Sequence, residues 1–286
     1  MVAVEHRPHA GRSKPGASSL ARPRVGVAKL TSCDGCQLTM LDLEEQLLDI
    51  VAAFEIVEFP EATSNRSSGP YDVLLVEGSI STPDQAEWIV ELRRRAGLLV
   101  TIGACATAGG IQALRNWGNE PAWRAAVYPR PDLLETLPTS TPISEHVVVD
   151  AELRGCPIDP QQLLELLVAL RTGRRPQLPD EAVCLACKRR GTVCVVTALG
   201  IPCLGPVTQT GCGAICPAYG RGCYACFGPR EQANVASLHA WFREHGVDET
   251  SANRLFAGFT AYAPPFREPA ASATRTAHRK DEPSHA

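Results

Sequence analysis

Cysteine is the residue type whose number and spacing in this chain most clearly suggest chemistry. Residues 184–226 contain eight cysteines, and the stretch begins and ends with Cys-x-x-Cys. Four more lie far upstream, at Cys33, Cys36, Cys105 and Cys156. Twelve thiols in this pattern could form disulfides, bind zinc or hold iron–sulfur clusters.

The expected cellular compartment argues against structural disulfides. The basic N-terminus is not followed by an apolar segment of signal-peptide length, and there is no paired-arginine export motif. No stretch approaches the roughly 18 consecutive apolar residues of a membrane span. We therefore expect a cytoplasmic protein without a membrane span, and a reducing cytosol does not favour structural disulfides.

Iron is favoured over zinc by the pattern of the eight clustered cysteines. No histidine lies among them, the spacers between them are irregular, and Cys216 is followed by proline, a step typical of iron–sulfur ligation. Paired Cys-x-x-Cys motifs also build zinc sites, so a zinc-stabilised scaffold protein with a Cys-rich arm stays an alternative. Twelve thiolates, at four per cluster, suffice for three clusters.

Charge and composition exclude one class of partner. The net charge of −3 and the pI near 6.2 give no electrostatic support for nucleic-acid binding. We therefore expect no nucleic-acid partner.

The elements that must position the cysteines alternate between strands and helices. Continuous apolar runs predict buried parallel strands, and segments with apolar residues at helical spacing separate most of them. The predicted strands cover residues 25–30, 55–59, 71–78, 98–103 and 147–150. The predicted helices cover residues 37–54, 83–97, 108–116, 157–173 and 231–246. This alternation predicts an α/β fold around a mainly parallel, flavodoxin-like sheet.

The strand ends bring the four upstream cysteines together. Cys33 and Cys36 follow the first predicted strand, Cys105 follows the fourth, and Cys156 follows the last. In an open α/β sheet the loops at the carboxyl ends of the strands converge, so these cysteines can meet in space. Glycines beside them would let the backbone approach a bulky inorganic group.

Composition divides the chain into four parts. Residues 1–24 and 263–286 are predicted to be a disordered leader and a disordered tail. Residues 25–173 form the predicted flavodoxin-like domain, and residues 174–262 form a small, irregular Cys-rich iron–sulfur domain with a C-terminal helix. The Cys-rich segment has little periodicity, so we expect it to need metals or cross-links to fold.

Several short motifs, in order, resemble the small electron-transfer subunit of [NiFe] hydrogenases over about residues 25–230. They are SCDGC (32–36), VEGSI (76–80), GACATAGG (103–110), RGCP (154–157) and CLGPVTQTGC (203–212). The resemblance implies three cluster sites. The proximal [4Fe–4S] ligands would be Cys33, Cys36, Cys105 and Cys156. The distal [4Fe–4S] ligands would be Cys184, Cys187, Cys194 and Cys203. The medial [4Fe–4S] ligands would be Cys212, Cys216, Cys223 and Cys226.

Two departures separate this chain from the membrane-linked respiratory members that it resembles. Those members use a histidine as the first distal ligand, where this chain has Cys184. They also have a three-cysteine medial [3Fe–4S] cluster, whereas Cys216 supplies a fourth ligand here. The resemblance therefore implies a medial [4Fe–4S] cluster that is more reducing than a [3Fe–4S] cluster.

The resemblance also implies the function and the partners. GRGCYACFGP and PTSTPISEHV are most similar to the delta subunit of the cytoplasmic, bidirectional NAD(P)-linked type, also called sulfhydrogenase. In that type a large subunit holds the nickel–iron centre, and two further subunits carry iron–sulfur clusters, FAD and a nicotinamide site. This chain would conduct electrons between them, and Glu77, at the end of a predicted strand, would help to move protons or simply cap a turn.

Other interpretations remain open at this point. The small subunit of an F420- or viologen-linked [NiFe] hydrogenase has a similar pattern. A single-cluster subunit of a proton-pumping quinone reductase would explain only the upstream cysteines and leave eight unused.

Overall fold

The predicted sheet is present as five parallel strands. The computed structural model describes residues 22–281, with side chains for residues 22–273. Within them the strands are β1 (Arg24–Lys29), β2 (Glu55–Glu58), β3 (Tyr71–Glu77), β4 (Ala96–Ile102) and β5 (Ala151–Leu153). Their order is β2-β1-β3-β4-β5, and every neighbouring pair is parallel. This is the flavodoxin-like order, so the predicted fold class is confirmed.

Helices cover both faces of the sheet, because alternate residues of a strand point to opposite sides. The helices of this first part are α1 (Gly35–Leu41), α2 (Glu45–Ala53), α3 (Pro83–Arg95), α4 (Gly103–Ala108), α5 (Glu120–Val127) and α6 (Pro160–Thr172). Val73 and Leu75 pack with α1, α2 and α6 on one face. Leu74 and Val76 pack with α3 on the other. Both faces of the central strands are therefore buried.

The ends of two helices follow their sequence signals. The Thr82 side chain accepts from the Gln85 amide and the Gln85 side chain accepts from the Thr82 amide, so a capping box begins α3 ahead of Pro83. Gly173 ends α6 in the left-handed region, at φ +68°. Both ends match the sequence prediction.

The Cys-rich part has short helices and a separate apolar core. Its helices are α7 (Val183–Arg189), α8 (Val195–Leu199), α9 (Ile215–Ala218), α10 (Val235–Glu244), α11 (Glu249–Phe256) and α12 (Pro264–Asp281). Val183, Val195 and Ala214 pack around two of the cysteines. Phe242, Phe256 and Phe266 form a second core that reaches Ala108 of α4. The C-terminal helices therefore pack against the edge of the sheet domain.

Two predicted elements of the sheet domain differ from the structure. The helix predicted over residues 37–54 is broken into α1 and α2, because the intervening turn buries Leu43 and places Glu44 at φ +50°. The strand predicted over residues 147–150 is wrong, since pairing begins at Ala151. The Asp150 amide donates to the Leu99 carbonyl at 2.9 Å, and the Leu99 amide donates to the Asp150 carboxylate at 2.7 Å instead of to a backbone carbonyl of residues 147–149. Val148 accordingly remains 74% exposed.

Two boundaries of predicted helices also differ. Gly97 is not the stop of α3, which ends at Arg95 and passes directly into β4. The helix predicted over residues 108–116 is a 3₁₀ helix, Ile111–Trp117, that follows two glycines with positive φ. Both differences are shifts of a boundary or of a helix type, and the order of elements is unchanged.

The prediction of a disordered tail from residue 263 is wrong for the part that the structure describes. Residues Pro264–Asp281 form α12, in spite of Pro269. Phe266, Ala270 and Ala273 are buried at spacings of four and three residues, which is the stripe of an amphipathic helix. Most of the predicted disordered leader, residues 1–21, lies outside the described residues, and Arg24 belongs to β1.

Candidate iron–sulfur sites

The four upstream cysteines lie at the carboxyl edge of the sheet. Cys33 and Cys36 lie between β1 and the first turn of α1, Cys105 lies in α4 directly after β4, and Cys156 follows β5. Burial raises the pKa of Cys36, and the charges of Glu77, Cys105 and Cys156 raise it further. Burial likewise raises the pKa of Cys105 to about 11, with further contributions from Cys156 and Cys33. Cys105 and Cys156 thus each lie near enough to Cys33 and to Cys36 to interact with them.

Two glycines leave room for sulfur at this edge. Gly103 has φ +83°, and a Cβ there would lie 2.4 Å from Cys36 Sγ. Gly110 has φ +68°, and a Cβ there would lie 2.7 Å from Cys105 Sγ. Both the backbone conformation and the close approach require glycine. The GACATAGG motif therefore shapes the space around two thiols.

Glu77 lies beside this group, at the end of β3. Its carboxylate is buried and accepts hydrogen bonds from the Cys36 amide at 3.2 Å and from Gln37 Nε2 at 2.9 Å. Burial raises its pKa, and the two hydrogen bonds act in the opposite direction. The observed role of Glu77 is to fix the first turn of α1, and a role in proton transfer remains a prediction.

Gln112 is a site residue that the sequence alone does not reveal. Its Nε2 donates to the Thr31 carbonyl at 2.9 Å and to Ser79 Oγ at 2.8 Å, so it joins the loops after β1 and β3. Its Oε1 lies 3.8 Å from Cys105 Sγ. A glutamine inside a predicted helix gives no sign of this role, because its partners are distant in sequence.

Replacing Gln112 is expected to loosen the proximal site. Gln112→Leu keeps the volume of the side chain but removes one hydrogen bond to the Thr31 carbonyl and one to the Ser79 hydroxyl, which still accept from the Ser79 amide and the Ser140 hydroxyl. A typical hydrogen bond contributes about 0.5–1.5 kcal/mol net, so loss of the two bonds should lower the free energy of unfolding in urea by about 1–3 kcal/mol. Release of iron to a chelator should also become faster. Gln46→Leu, on an exposed face of α2, is the control, and equal behaviour of the two variants would contradict the role of Gln112.

A second group of four cysteines lines one cavity. The cavity has a volume of about 500 Å³, and its lining includes Cys184, Cys187, Cys194 and Cys203. Gly205 lies against two of them, because a Cβ there would lie 3.3 Å from Cys184 Sγ and 3.4 Å from Cys203 Sγ. The pKa of Cys184 is raised to about 11. Burial is the largest cause, and the charges of Cys203, Cys187 and Cys194 contribute in the same direction. The predicted distal ligands therefore face a common space.

The last four cysteines form a third group between the other two. The pKa of Cys226 is raised to about 12. Burial is the largest cause, and the charges of Cys212, Cys156 and Cys216 act in the same direction. Burial raises the pKa of Cys223, and Cys203 and Cys226 are among the further causes. The third group thus interacts with Cys156 of the first group and with Cys203 of the second.

Backbone amides point at several of these sulfurs. The Cys223 amide donates to Cys203 Sγ at 3.1 Å, the Gly205 amide to the same sulfur at 3.4 Å, and the Ala225 amide to Cys223 Sγ at 3.4 Å. The backbone of Cys156 also lies near the Cys226 sulfur and acts to lower the pKa of Cys226. Amide donors of this kind stabilise negative charge on ligand sulfur. The bond from the Cys223 amide to Cys203 Sγ joins the third group directly to the second.

Arg154 and Phe227 fasten the Cys-rich segment to the sheet domain. Arg154 Nη1 donates to the Pro229 carbonyl at 2.7 Å, while Glu152 accepts from the same guanidinium at 3.0 Å. The buried Phe227 ring lies against two glycines, since a Cβ at Gly155 would lie 2.9 Å from it. The RGCP motif alone does not predict the contact between Arg154 and the Pro229 carbonyl.

Truncating Phe227 is expected to separate the third group from the first. Phe227→Ala removes a fully packed ring next to Cys226, and such changes cost about 3–5 kcal/mol in stability. We expect a lower melting temperature and slower electron exchange between the clusters, measured by thermal unfolding and by freeze-quench EPR. Phe259→Ala removes a ring of the same size that is 38% exposed and serves as the control. Equal melting temperatures for the two variants would contradict the packing argument.

Two features are absent from the described part of the chain. Nowhere in it do three His, Cys, Asp or Glu side chains come together as closely as a single metal ion needs. No helix in it has the length and apolar character to cross a membrane.

The comparisons with known proteins place the chain in a family. Residues 33–170 match the sequence model of the family described as NADH ubiquinone oxidoreductase, 20 Kd subunit. Sulfhydrogenase 2 subunit delta of Pyrococcus furiosus is 38% identical, over 81% of this chain and 97% of that protein. The chain belongs to the [NiFe] hydrogenase small-subunit family.

Two further relatives agree with this membership. A vhu subunit of the F420-non-reducing hydrogenase of Methanococcus voltae is 30% identical to this small subunit, over 83% of this chain and 94% of that protein. A chain in the crystal structure of an NAD⁺-reducing [NiFe]-hydrogenase in the H2-reduced state is 30% identical, with a TM-score of 0.52. That match covers 55% of this chain and 96% of the other. The predicted resemblance is therefore confirmed.

The residues present suit iron–sulfur clusters, the cofactors that this small subunit is expected to hold. All twelve cysteines are free, and glycines such as Gly103 and Gly205 leave the space beside their sulfurs that a Cβ would otherwise occupy. Amide donors are aimed at ligand sulfurs, as thiolate-ligated clusters require. The buried thiols have raised pKa values without metal, and coordination to iron deprotonates such thiols.

Proposed function

We propose that this small subunit relays electrons through three [4Fe–4S] clusters between the nickel–iron site of a large subunit and NAD(P)-reducing partner subunits. Family membership supports the coarser statement that it is an electron-transfer subunit of a [NiFe] hydrogenase. The finer proposal is supported by the chain of contacts from Cys156 to Cys226 and from Cys223 to Cys203.

The proposed ligand sets are those implied by the sequence. The proximal set is Cys33, Cys36, Cys105 and Cys156, the medial set is Cys212, Cys216, Cys223 and Cys226, and the distal set is Cys184, Cys187, Cys194 and Cys203. Bound clusters would supply one-electron carriers that need no proton at each step. The order of contacts supports a path that starts at the proximal set and ends at the distal set.

The chain's own residues hold and insulate these sites. The glycines at 103 and 110 admit sulfur close to the backbone, and the amides of residues 205, 223 and 225 would stabilise charge on the ligand sulfurs. The buried Phe227 ring, which packs against Gly155 beside Cys156, would exclude water between the proximal and medial sets. Glu77, held by the Cys36 amide and Gln37, would carry a proton at the edge of the proximal site.

The partners follow from the same proposal. The expected large subunit holds the nickel–iron centre, and the expected iron–sulfur and flavin subunits hold FAD and bind NAD(P). A structure named for NAD⁺ reduction supports this type, as does the sulfhydrogenase relative. We propose a cytoplasmic location, with no nucleic-acid partner.

A second candidate is an F420- or viologen-linked hydrogenase. The match to an F420-non-reducing hydrogenase subunit over 83% of this chain favours an acceptor other than F420, such as a viologen in the assay. The F420-linked type is supported by a 27% identical match to the coenzyme F420 hydrogenase subunit gamma of Methanococcus voltae over 52% of this chain. The two candidates share the clusters and differ in the terminal acceptor, which would be bound by another chain.

The acceptor distinguishes the candidates. The complex should be isolated under anaerobic conditions by a tag on this chain, and its subunits identified by mass spectrometry. We expect a large subunit and a flavin subunit, together with H2-dependent reduction of NAD⁺ or NADP⁺. H2-dependent viologen reduction without nicotinamide reduction would favour the second candidate. Absence of any hydrogenase large subunit, with zinc bound to the chain, would favour the scaffold alternative instead.

A further inference from the structure

Arg230 carries a guanidinium that has no partner within the described part of the chain. Its side chain is partly buried, and its Nε is fully buried without a hydrogen-bond acceptor. The described residues also give its terminal nitrogens neither an ion pair nor a hydrogen bond. Because a guanidinium keeps its charge at every physiological pH, this positive charge is not compensated by those residues.

Other arginines in comparable positions do have partners. Arg115 and Arg124 also have a buried Nε without an acceptor, but Arg115 Nη2 donates to three backbone carbonyls and Arg124 Nη1 donates to one at 2.6 Å. Next to the Cys-rich helix α7, Arg189 forms an ion pair with Glu181. Native proteins rarely bury a charged donor without a partner, so the state of Arg230 calls for an acceptor from outside the chain.

Arg230 lines the cavity of the proposed distal ligands. The cavity has a volume of about 500 Å³, and the sulfur residues in its lining are Cys184, Cys187, Cys194 and Cys203. Among the described residues that line it, these cysteines and Arg230 are the only ionisable ones. Residues 182–230 contain no aspartate or glutamate. The negative charge that Arg230 lacks is therefore available, in this cavity, only from the thiolates and what they bind.

The backbone holds Arg230 at this cavity. Its amide donates to the Val207 carbonyl at 3.0 Å, and its carbonyl accepts from the Ala233 amide at 3.2 Å. Val207 is buried and also lines the cavity. It lies four residues after Cys203, so the hydrogen bond ties Arg230 to the segment that carries a proposed ligand.

A fixed cation in this cavity acts unequally on the two redox states of the site. Four thiolates make the site anionic, and reduction adds one more negative charge. A nearby cation therefore stabilises the reduced state more than the oxidised state, and more strongly in a partly buried site than in water. Net charge and hydrogen bonds to sulfur are among the factors that set the potential of an iron–sulfur cluster.

We propose that Arg230 is the counter-ion of the distal site, where it donates a hydrogen bond to sulfur and raises the reduction potential. The inference rests on the proposed function, because it needs a cluster on the four distal thiolates. One electron arrives from the medial set and leaves to the partner, no bond forms or breaks, and Arg230 keeps its proton throughout. The cation would thereby favour the presence of the electron at the distal end of the relay.

The test is an EPR redox titration of the full chain, reconstituted with iron and sulfide. Arg230→Gln removes the charge. At the wild-type distal midpoint we expect its oxidised-to-reduced ratio to rise from one to about ten, which corresponds to a potential lower by about 59 mV. Arg230→Lys keeps the charge and should restore most of the potential. The distal signal is identified as the one that Cys187→Ser alters, and the other two midpoints should not change.

Arg94→Gln is the matched control, because it makes the same change in net charge. Arg94 lies on α3 in the sheet domain, and its side chain is 72% exposed. All three midpoints should stay at their wild-type values in this variant. A purely structural role of Arg230 would lower the melting temperature without a selective change in the distal midpoint.

The outcomes separate the counter-ion proposal from the proposed function. If the reconstituted wild type holds no clusters, the proposed function fails. If Arg230→Gln keeps about twelve iron atoms and the wild-type distal midpoint, the counter-ion proposal is overturned and the proposed function stands.

A second variant covers the case in which Arg230→Gln loses the distal cluster. Gln232 lines the same cavity, so Gln232→Glu keeps Arg230 and adds a negative charge to the lining. The distal midpoint of this variant should fall, in the same direction as for Arg230→Gln. An unchanged distal midpoint would show that charge at this part of the cavity does not reach the site, and would overturn the proposal.

Discussion

Gly103→Ala is expected to abolish the proximal cluster and leave the other two. The new Cβ would lie 2.4 Å from Cys36 Sγ, and the backbone at φ +83° is unfavourable for alanine by about 1–2 kcal/mol. The proposed ligand Cys36 would be displaced, while the two sets in the Cys-rich segment are untouched. Iron should fall from about twelve to about eight atoms per chain, and H2-dependent reduction of every acceptor should be lost.

Gly173→Ala distinguishes the clash with a cysteine sulfur from the backbone penalty at positive φ. Gly173 has φ +68°, and a Cβ there would meet nothing within 4 Å. This variant therefore carries the backbone penalty alone, and we expect about 1 kcal/mol lower stability with full iron content. Iron analysis and reduced-state EPR on both variants show whether the clash with Cys36, rather than the backbone penalty, removes the cluster. Retention of about twelve iron atoms by Gly103→Ala would contradict the assignment of Cys36 to a cluster.

Cys216→Ser is expected to change the type of the medial cluster. Cys216 is the fourth thiolate of that set, and it lies close to Cys212 and Cys203. With three thiolates left, the site should hold a [3Fe–4S] cluster of higher potential and about eleven iron atoms per chain in total. A rise of about 59 mV alone changes the oxidised-to-reduced ratio of a one-electron couple tenfold. Electrons would be trapped in the middle of the relay, and H2-dependent NAD(P) reduction should fall roughly tenfold or more.

The matched control for Cys216→Ser is a neighbour in the same short helix. Ile215, in α9, is half exposed, so Ile215→Ala alters the helix without removing a proposed ligand. It should keep the medial signal and the activity. An EPR redox titration measures the change. The ligand role of Cys216 would be refuted by an unchanged medial potential and iron content in Cys216→Ser.

The sequence predicted the sheet because local pattern determines its strands. The runs at residues 25–30 and 71–78 are buried on both faces, and the cysteines follow such strands directly, so their convergence could be inferred from the geometry of parallel sheets. Family resemblance then supplied the division of the Cys-rich segment into two sets.

Features that depend on distant partners could not be predicted. Residues 147–150 do not form the predicted strand, since the Leu99 amide bonds to the Asp150 carboxylate and β5 begins only at Ala151, and Leu43 breaks a helix because a core position is available to it. The sequence did not predict α12, because prolines and charged residues interrupt the apolar pattern. The helix nevertheless buries an apolar stripe that begins at Phe266. Gln112 and Arg154 join segments that lie 33 to 81 residues apart along the chain.

The central claim is that twelve thiolates hold three [4Fe–4S] clusters, and metal analysis with EPR tests it most directly. The full chain should be purified without oxygen and assayed for iron, acid-labile sulfide and zinc, then titrated with reductant under EPR. We predict about twelve iron and twelve sulfide per chain, negligible zinc, and three one-electron signals in the reduced state. About four iron atoms, or zinc in place of iron, would contradict the account.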